Sequence, residues 1–280
     1  ATLETLEIMK ERYGSNFCKK STELKYHEKL IIEEVEIFLA PAGHVLGSAQ
    51  VVMNFANQVI TVSGDYKRQD DPTCAAFEPI KSDIFITEAT FALPVFKHPN
   101  ANTQINLLIK SIQNFPERCH VIGVYSLGKA QRLIKMLRNN GWHNTIYLHG
   151  SLVKICNLYE KFGIDLGNLE PATIQDKPEK PHDFYKGKLI LAPPSALADR
   201  WSRRFPDPIL GMASGWMTVK QRAKQRGINL PLILSDHADW NEILTTIKEV
   251  SPKEVWITHG AEEALIHECS NCLLYTSPSP

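Results

Sequence analysis

The 280-residue sequence predicts an α/β protein in which one domain is interrupted by another, and three observations carry that prediction. Residues 34 to 88 read as strand after strand with short turns between them. Residues 102 to 191 alternate helix and strand, the grammar of a parallel sheet. From Leu230 the chain returns to strand, helix and strand, and each strand ends in a His.

In chain order, Thr2 caps a first helix marked by Leu6, Met9 and Tyr13. Strands follow at Val35 to Leu39, Ala49 to Phe55, Val59 to Val62 and Asp83 to Thr87, with Ala56-Asn57-Gln58 as a turn. The inserted part holds a helix at Asn102 to Asn114, the apolar run Cys119 to Tyr125 and a helix at Gly128 to Asn139. Then come a strand at Thr145 to Leu148, a helix at Ser151 to Phe162 and a strand at Lys188 to Leu191. Residues 165 to 186, with three prolines, read as a surface loop. In the return segment, Asp239 and Glu242 form a capping box for a helix bearing Ile243, Leu244, Ile247 and Val250, between strands at Leu232 to Leu234 and Val255 to Ile257.

The domain boundaries read from this pattern are 1–89 and 229–268 for the first domain and 90–228 for the insertion. Residues 269–280 turn to a Ser/Pro tail that reads as foreign to the fold, and the start at Ala1 reads as an entry midway into a domain.

Composition excludes more than it identifies. A 43% hydrophobic content supports a full core, and Lys+Arg and Asp+Glu both number 31, so any electrostatic footprint is local. No apolar run reaches the ~18 to 20 residues of a membrane span, which makes a soluble cytoplasmic protein the default expectation. The six scattered Cys read as reduced thiols, since Cys269 and Cys272 have no second pair to complete a zinc site.

His44, Asp65, His237 and His259 share one placement, each just past an apolar strand or in the turn beyond it. Imidazole and carboxylate are the donors of hydrolytic zinc sites, and a carboxylate can bridge two ions. Gly43, Gly64 and Gly260 let backbone crowd such an ion, or simply make turns. Glu88 ends a further strand. Beside His237 it would hold the imidazole protonated, as a general acid for a leaving alkoxide.

Between Arg200 and Arg226 lie seven basic residues, Arg200, Arg203, Arg204, Lys220, Arg222, Lys224 and Arg226, against one acid, Asp207. Trp201 and Trp216 are interleaved with them, a combination suited to phosphate contact and base stacking, although a solvated helix face also explains Lys220 to Arg226. Ser214 and Gly215, and the helix start at Ser126 and Lys129, could add backbone donors for phosphate.

Pro-Ala-Gly-His-Val-Leu-Gly-Ser-Ala-Gln, Ser-Gly-Asp-Tyr, Ile-Thr-Glu-Ala-Thr-Phe, Pro-Pro-Ser-Ala, Ala-Ser-Gly-Trp-Met, Ser-Asp-His-Ala-Asp-Trp and Thr-His-Gly stand here in that order. Together they resemble the β-CASP branch of the metallo-β-lactamase fold, and within it the bacterial ligase-associated DNA exonucleases, also labelled mRNA 3′-end processing factor-like. The resemblance runs from Ala1 to about His267. It implies a metallo-β-lactamase αββα sandwich, incomplete at its N-terminus, with an inserted α/β β-CASP domain. It implies two Zn²⁺ per intact protein, with Mn²⁺ as a substitute. His44, Asp65 and His259 match the family's metal ligands, and Glu88 and His237 its catalytic pair. The partners implied are nucleic acid, DNA ahead of RNA, and an ATP-dependent DNA ligase system.

The family's His-x-His-x-Asp-His segment does not occur in these 280 residues. The expectation is therefore a zinc-dependent nucleic-acid phosphodiesterase whose present segment is inactive alone. The alternatives are an RNA-processing ribonuclease of the same branch and a non-catalytic nucleic-acid-binding scaffold. A scaffold has no need of five retained site residues.

Overall fold

The computed structural model describes residues 1–173, 184–205 and 207–271, together with the backbone of 275–278. The chain divides into two compact units, residues 1–97 with 236–280, and residues 98–235. No helix among the described residues is long and apolar enough to cross a membrane.

The first unit opens with α1 (Leu3–Tyr13), capped by Thr2, whose hydroxyl accepts from Thr5 N–H. Its sheet is built from β1 (Leu30–Ile32), β2 (Val35–Pro41), β3 (Ala49–Phe55), β4 (Gln58–Val62), β5 (Ile84–Ala89), β12 (Glu254–Gly260) and β13 (Tyr275–Pro278), in that spatial order. The pairs from β1 to β4 are antiparallel, and those from β4 to β13 are parallel. The meander expected from residues 34 to 88 is thus an antiparallel half of a mixed sheet. The Ala56-Asn57 turn uses positive φ at both residues, 48° and 63°, which suits the twist of a tight hairpin.

Period-two alternation sets the two faces of this sheet. Val52, Thr61, Phe85 and Val255 stand in one cross-strand row and are fully buried. Phe85 and Val255 pack with Ile243, Ile247 and Val250 of α6 (Trp240–Val250). The opposite row, Val51, Val62, Ile86 and Trp256, is half-exposed although it is equally apolar. The α6 start is the expected capping box, with Asp239 accepting from Glu242 N–H and Glu242 accepting from Asp239 N–H.

The second unit carries a fully parallel sheet. Its strands are β6 (His120–Gly123), β7 (Ile146–Leu148), β8 (Leu169–Pro171), β9 (Leu189–Ala192), β10 (Ile209–Ala213) and β11 (Leu230–Leu232), in the order β11-β10-β6-β9-β7-β8. Each neighbouring pair is parallel. The helices α2 (Ala101–Asn114), α3 (Lys129–Asn139), α4 (Gly150–Lys161) and α5 (Lys220–Gln225) complete it. Arg138, nearly buried, ties the end of α3 to the strand starts by donating to the carbonyls of Leu166, Trp142, Asn144 and Asn168.

Three expectations change. The second unit begins at His98 rather than 90, because Phe91, Ala92 and Phe96 are buried and Phe96 O accepts from Trp240 N–H within the first unit. It ends at Ser235 rather than 228, because Leu230–Leu232 pairs with β10 and so belongs to the insertion's sheet. Third, residues 269–271 lie in α7 (Glu262–Asn271), where Cys269 is buried in the first unit's core, and 275–278 pair beside β12. Leu169–Pro171 forms a short strand inside the stretch read as a loop, the remainder of which at 174–183 lies outside the described residues.

Candidate metal centre

Asp65 follows Ser63-Gly64 at the end of β4, where Gly64 takes φ of 57° and turns the chain out of the sheet. The turn is anchored on both sides: Ser63 N–H donates to Ile86 O at 2.9 Å and Tyr66 N–H to Glu88 Oε1 at 2.7 Å. Asp65 itself remains exposed, its side chain 46% accessible.

His44 sits in the loop between β2 and β3. Ala42 N–H donates to Ser48 O, and the Ser48 hydroxyl accepts from both His44 N–H and Val45 N–H. Gly43 is required here: its φ is 71°, and a Cβ would lie 2.5 Å from Lys67 O. The His44 Nδ1 is 2.7 Å from Asp236 O. A carbonyl only accepts, so Nδ1 carries the proton and Nε2 keeps its lone pair. Nε2 lies 3.8 Å from Asp65 Oδ2. Burial, followed by the neighbouring His237, lowers the His44 pKa below the ordinary His value, which keeps that lone pair available.

His237 reaches the same place from the turn before α6. Its ring centroid is 4.8 Å from that of His44, and its Nδ1 donates to Glu88 Oε2 at 2.8 Å. Glu88 is buried. It accepts from Tyr66 N–H at one oxygen and from the Thr90 hydroxyl and His237 at the other. A donor atom from each of His44, Asp65 and His237 lies within 4.8 Å of the others. Two imidazoles and a carboxylate form a zinc-type donor set. Ligand bonds of about 2.0–2.2 Å hold two donors up to about 4.4 Å apart, so the His44 and Asp65 pair already suits a shared ion.

His259 is placed differently. Thr258 pairs with Glu88 and Gly260 with Ala89, which leaves His259 as the extra residue of a β-bulge, exposed and with φ of 56°. Its Nδ1 lies 3.2 Å from Thr258 Oγ1, and it stands outside the three-donor cluster. Gly260 permits the bulge, since a Cβ there would overlap Ala89 O.

The residues singled out for nucleic acid all lie in the second unit, and their side chains divide. Arg200, Arg203 and Arg226 are exposed. Arg204 donates to Trp201 O and Ala172 O and covers the Trp201 ring, while Arg222 lies 4.1 Å over the Trp216 ring. Ser214 and Gly215 are buried, and the Ser214 hydroxyl caps its own short helix by accepting from Trp216 N–H. Lys129 is buried, with its ammonium 5.2 Å from the Tyr125 ring, and Ser126 O accepts from Gln131. Sequence reasoning missed Lys67, Asp71, Thr90 and Asp236, which fix the site loops from behind. They follow no helical or strand period that could have flagged them.

A sheet-end cluster of this chemistry, on a mixed sheet, is a candidate metal centre of the metallo-hydrolase type. Residues 231–272 match the family model described as a Zn-dependent metallo-hydrolase RNA specificity domain. The chain is 27% identical over 236 residues to a "Probable DNA ligase" of Opitutus terrae, covering 80% of this chain and 21% of that protein. It is 33% identical over 147 residues to Cleavage and polyadenylation specificity factor 73 of Drosophila melanogaster, covering 49% and 21%. It is 25% identical over 292 residues to Cleavage and polyadenylation specificity factor subunit 3 of Dictyostelium discoideum, covering 86% and 37%. A crystal structure of an Enterococcus faecalis V583 protein of unknown function superposes with a TM-score of 0.66 at 14% identity, covering all of this chain and 73% of that one, which supports the fold alone. These similarities support a metallo-β-lactamase fold of the β-CASP type for the chain. The chain spans between 21% and 37% of the length of these three curated relatives.

Proposed function

We propose that the protein containing this chain is a zinc-dependent phosphodiesterase acting on nucleic-acid ends, with DNA as its substrate in ligase-linked repair. The observation that carries the reading is the convergence of His44, Asp65 and His237 on one point, with the buried Glu88 behind His237. The relative named as a DNA ligase supports DNA, and the two cleavage and polyadenylation factors are the reason to retain RNA as the second substrate.

His44 Nε2 and Asp65 would hold the metal, and His259 on its bulge is the further donor for a second ion. Zinc, when bound, supplies a water of lowered pKa and charge neutralisation at the phosphate. His237 is the proton donor. Glu88 fixes its Nδ1–H, stabilises the imidazolium, and so directs Nε2–H toward a leaving oxygen. The exposed Arg200, Arg203 and Arg226 supply charge for the strand. Among the described residues the cluster offers His44, Asp65 and His237; with His259 added these are too few donors to complete two ions, so this segment by itself should hold metal weakly and turn over slowly.

The test is degradation of end-labelled DNA and RNA by the whole protein with Zn²⁺ or Mn²⁺. Cleavage of DNA from its ends supports the reading, and preferential internal cleavage of RNA replaces it with the ribonuclease. Binding of nucleic acid without metal-dependent cleavage would leave a scaffold.

A further inference from the structure

Residues 66 and 67 stand where the three donor-bearing loops meet. Tyr66 N–H donates to Glu88, and Tyr66 O accepts from Ala238 N–H at 2.7 Å, next to His237. Lys67 N–H donates to Ala42 O at 3.2 Å. The Lys67 ammonium then reaches back to the His44 carbonyl at 3.2 Å and to Asp71 Oδ2 at 2.6 Å.

This ion pair is out of solvent, with the Lys67 side chain 1% exposed and that of Asp71 3%. The second Asp71 oxygen accepts from Thr73 N–H at 2.8 Å and from the Thr73 hydroxyl at 2.6 Å, so the carboxylate cannot swing away. Burying both charges carries a desolvation cost that well-packed apolar side chains would avoid. Stability is therefore a poor reason for the pair. An apolar pair could hold the fold, but it could not donate a hydrogen bond to the backbone of His44.

We infer that Lys67 is a positioning residue for the metal centre: held by Asp71, its ammonium clamps the His44 loop to the Asp65 loop and sets the spacing of the two donors. The inference rests on the reading of His44 and Asp65 as metal donors. Lys67 touches neither substrate nor metal.

The variants Lys67→Met and Lys67→Met/Asp71→Asn, made in the whole protein, test it. The double variant removes both charges while the Asn oxygen still serves Thr73. Three quantities are read: thermal midpoint without metal, Co²⁺ affinity by absorption titration, and the His44 Nδ1 proton by NMR, which Asp236 O shelters in the wild type. The double variant should melt within about 4 °C of wild type, yet bind Co²⁺ about 10–100-fold more weakly and lose the sheltered His44 resonance. Unchanged Co²⁺ affinity with the resonance retained would overturn the inference. Failure of both variants to fold would overturn it too, by making the pair structural. If wild type takes up no Co²⁺, the donor reading of His44 and Asp65 fails, and the His44 resonance still decides whether Lys67 holds that loop.

Discussion

His237 Nδ1 donates to Glu88 Oε2 at 2.8 Å, and the Glu88 side chain is only 2% exposed. A histidine tethered in this way turns its Nε2 away from Glu88, and the sheet end places the ring beside His44 and Asp65. The link joins residues 149 positions apart, the end of β5 and the turn before α6.

Glu88→Gln tests the tether. The amide can still accept from Tyr66 N–H, but its NH₂ would face Nδ1 and force the other tautomer. In the whole protein, turnover should fall by about 10²–10⁴-fold, the usual range for losing a general acid, with metal content unchanged. Parallel loss of metal would show that Glu88 supports the donors instead.

The strand register predicts unequal costs for neighbouring residues. Phe85 is fully buried against α6, so Phe85→Ala should cost about 3–5 kcal/mol in urea unfolding. Ile86 faces the half-exposed row, and Ile86→Ala should cost less than about 2 kcal/mol. Equal costs would mean that the second face is as closely packed as the first.

Asp239→Ala removes half of the capping box at the start of α6 and should cost about 1 kcal/mol. Because α6 packs on β5 and β12, hydrogen exchange should quicken first in the opening turn that follows His237.

His120 gives the fold an acid limb. It is fully buried on β6, its Nε2 lies 2.9 Å from Ser111 Oγ, and burial lowers its pKa to about 4 from 6.5. The unfolded chain therefore binds the proton more readily. The stability that His120 contributes is whole above pH 6.5 and is lost as pH falls through about 4. His120→Gln keeps a partner for Ser111 and cannot titrate, so its unfolding free energy should be flatter than wild type across that window.

The features legible in the sequence were local ones. Alternation in residues 49 to 62 and the Asp239/Glu242 spacing fix strands and a cap through contacts a few residues apart, and the shared strand-end placement of His44, Asp65 and His237 follows from them. The strand expected at Leu232 to Leu234 in the first domain stands instead at Leu230–Leu232 in the second unit's sheet, because a short apolar run carries no record of its partner, and β10 supplies that partner. The basic stretch was legible as charge but not as role. Arg204 donates to two carbonyls and Arg222 covers Trp216, uses that composition cannot distinguish from a phosphate contact. The Lys67–Asp71 pair was invisible because neither residue lies on a helix or strand, and only the closure of the loops brings an ammonium under the His44 carbonyl.

The division of labour within the cluster is the central claim: Asp65 and His44 hold metal, and His237 moves a proton. Metal content of the whole protein, measured for Asp65→Ala and His237→Ala beside wild type, tests it most directly. The account predicts that Asp65→Ala loses metal while His237→Ala retains nearly all of it with its cleavage rate strongly reduced. Equal loss in the two variants would contradict it, and would make His237 a ligand.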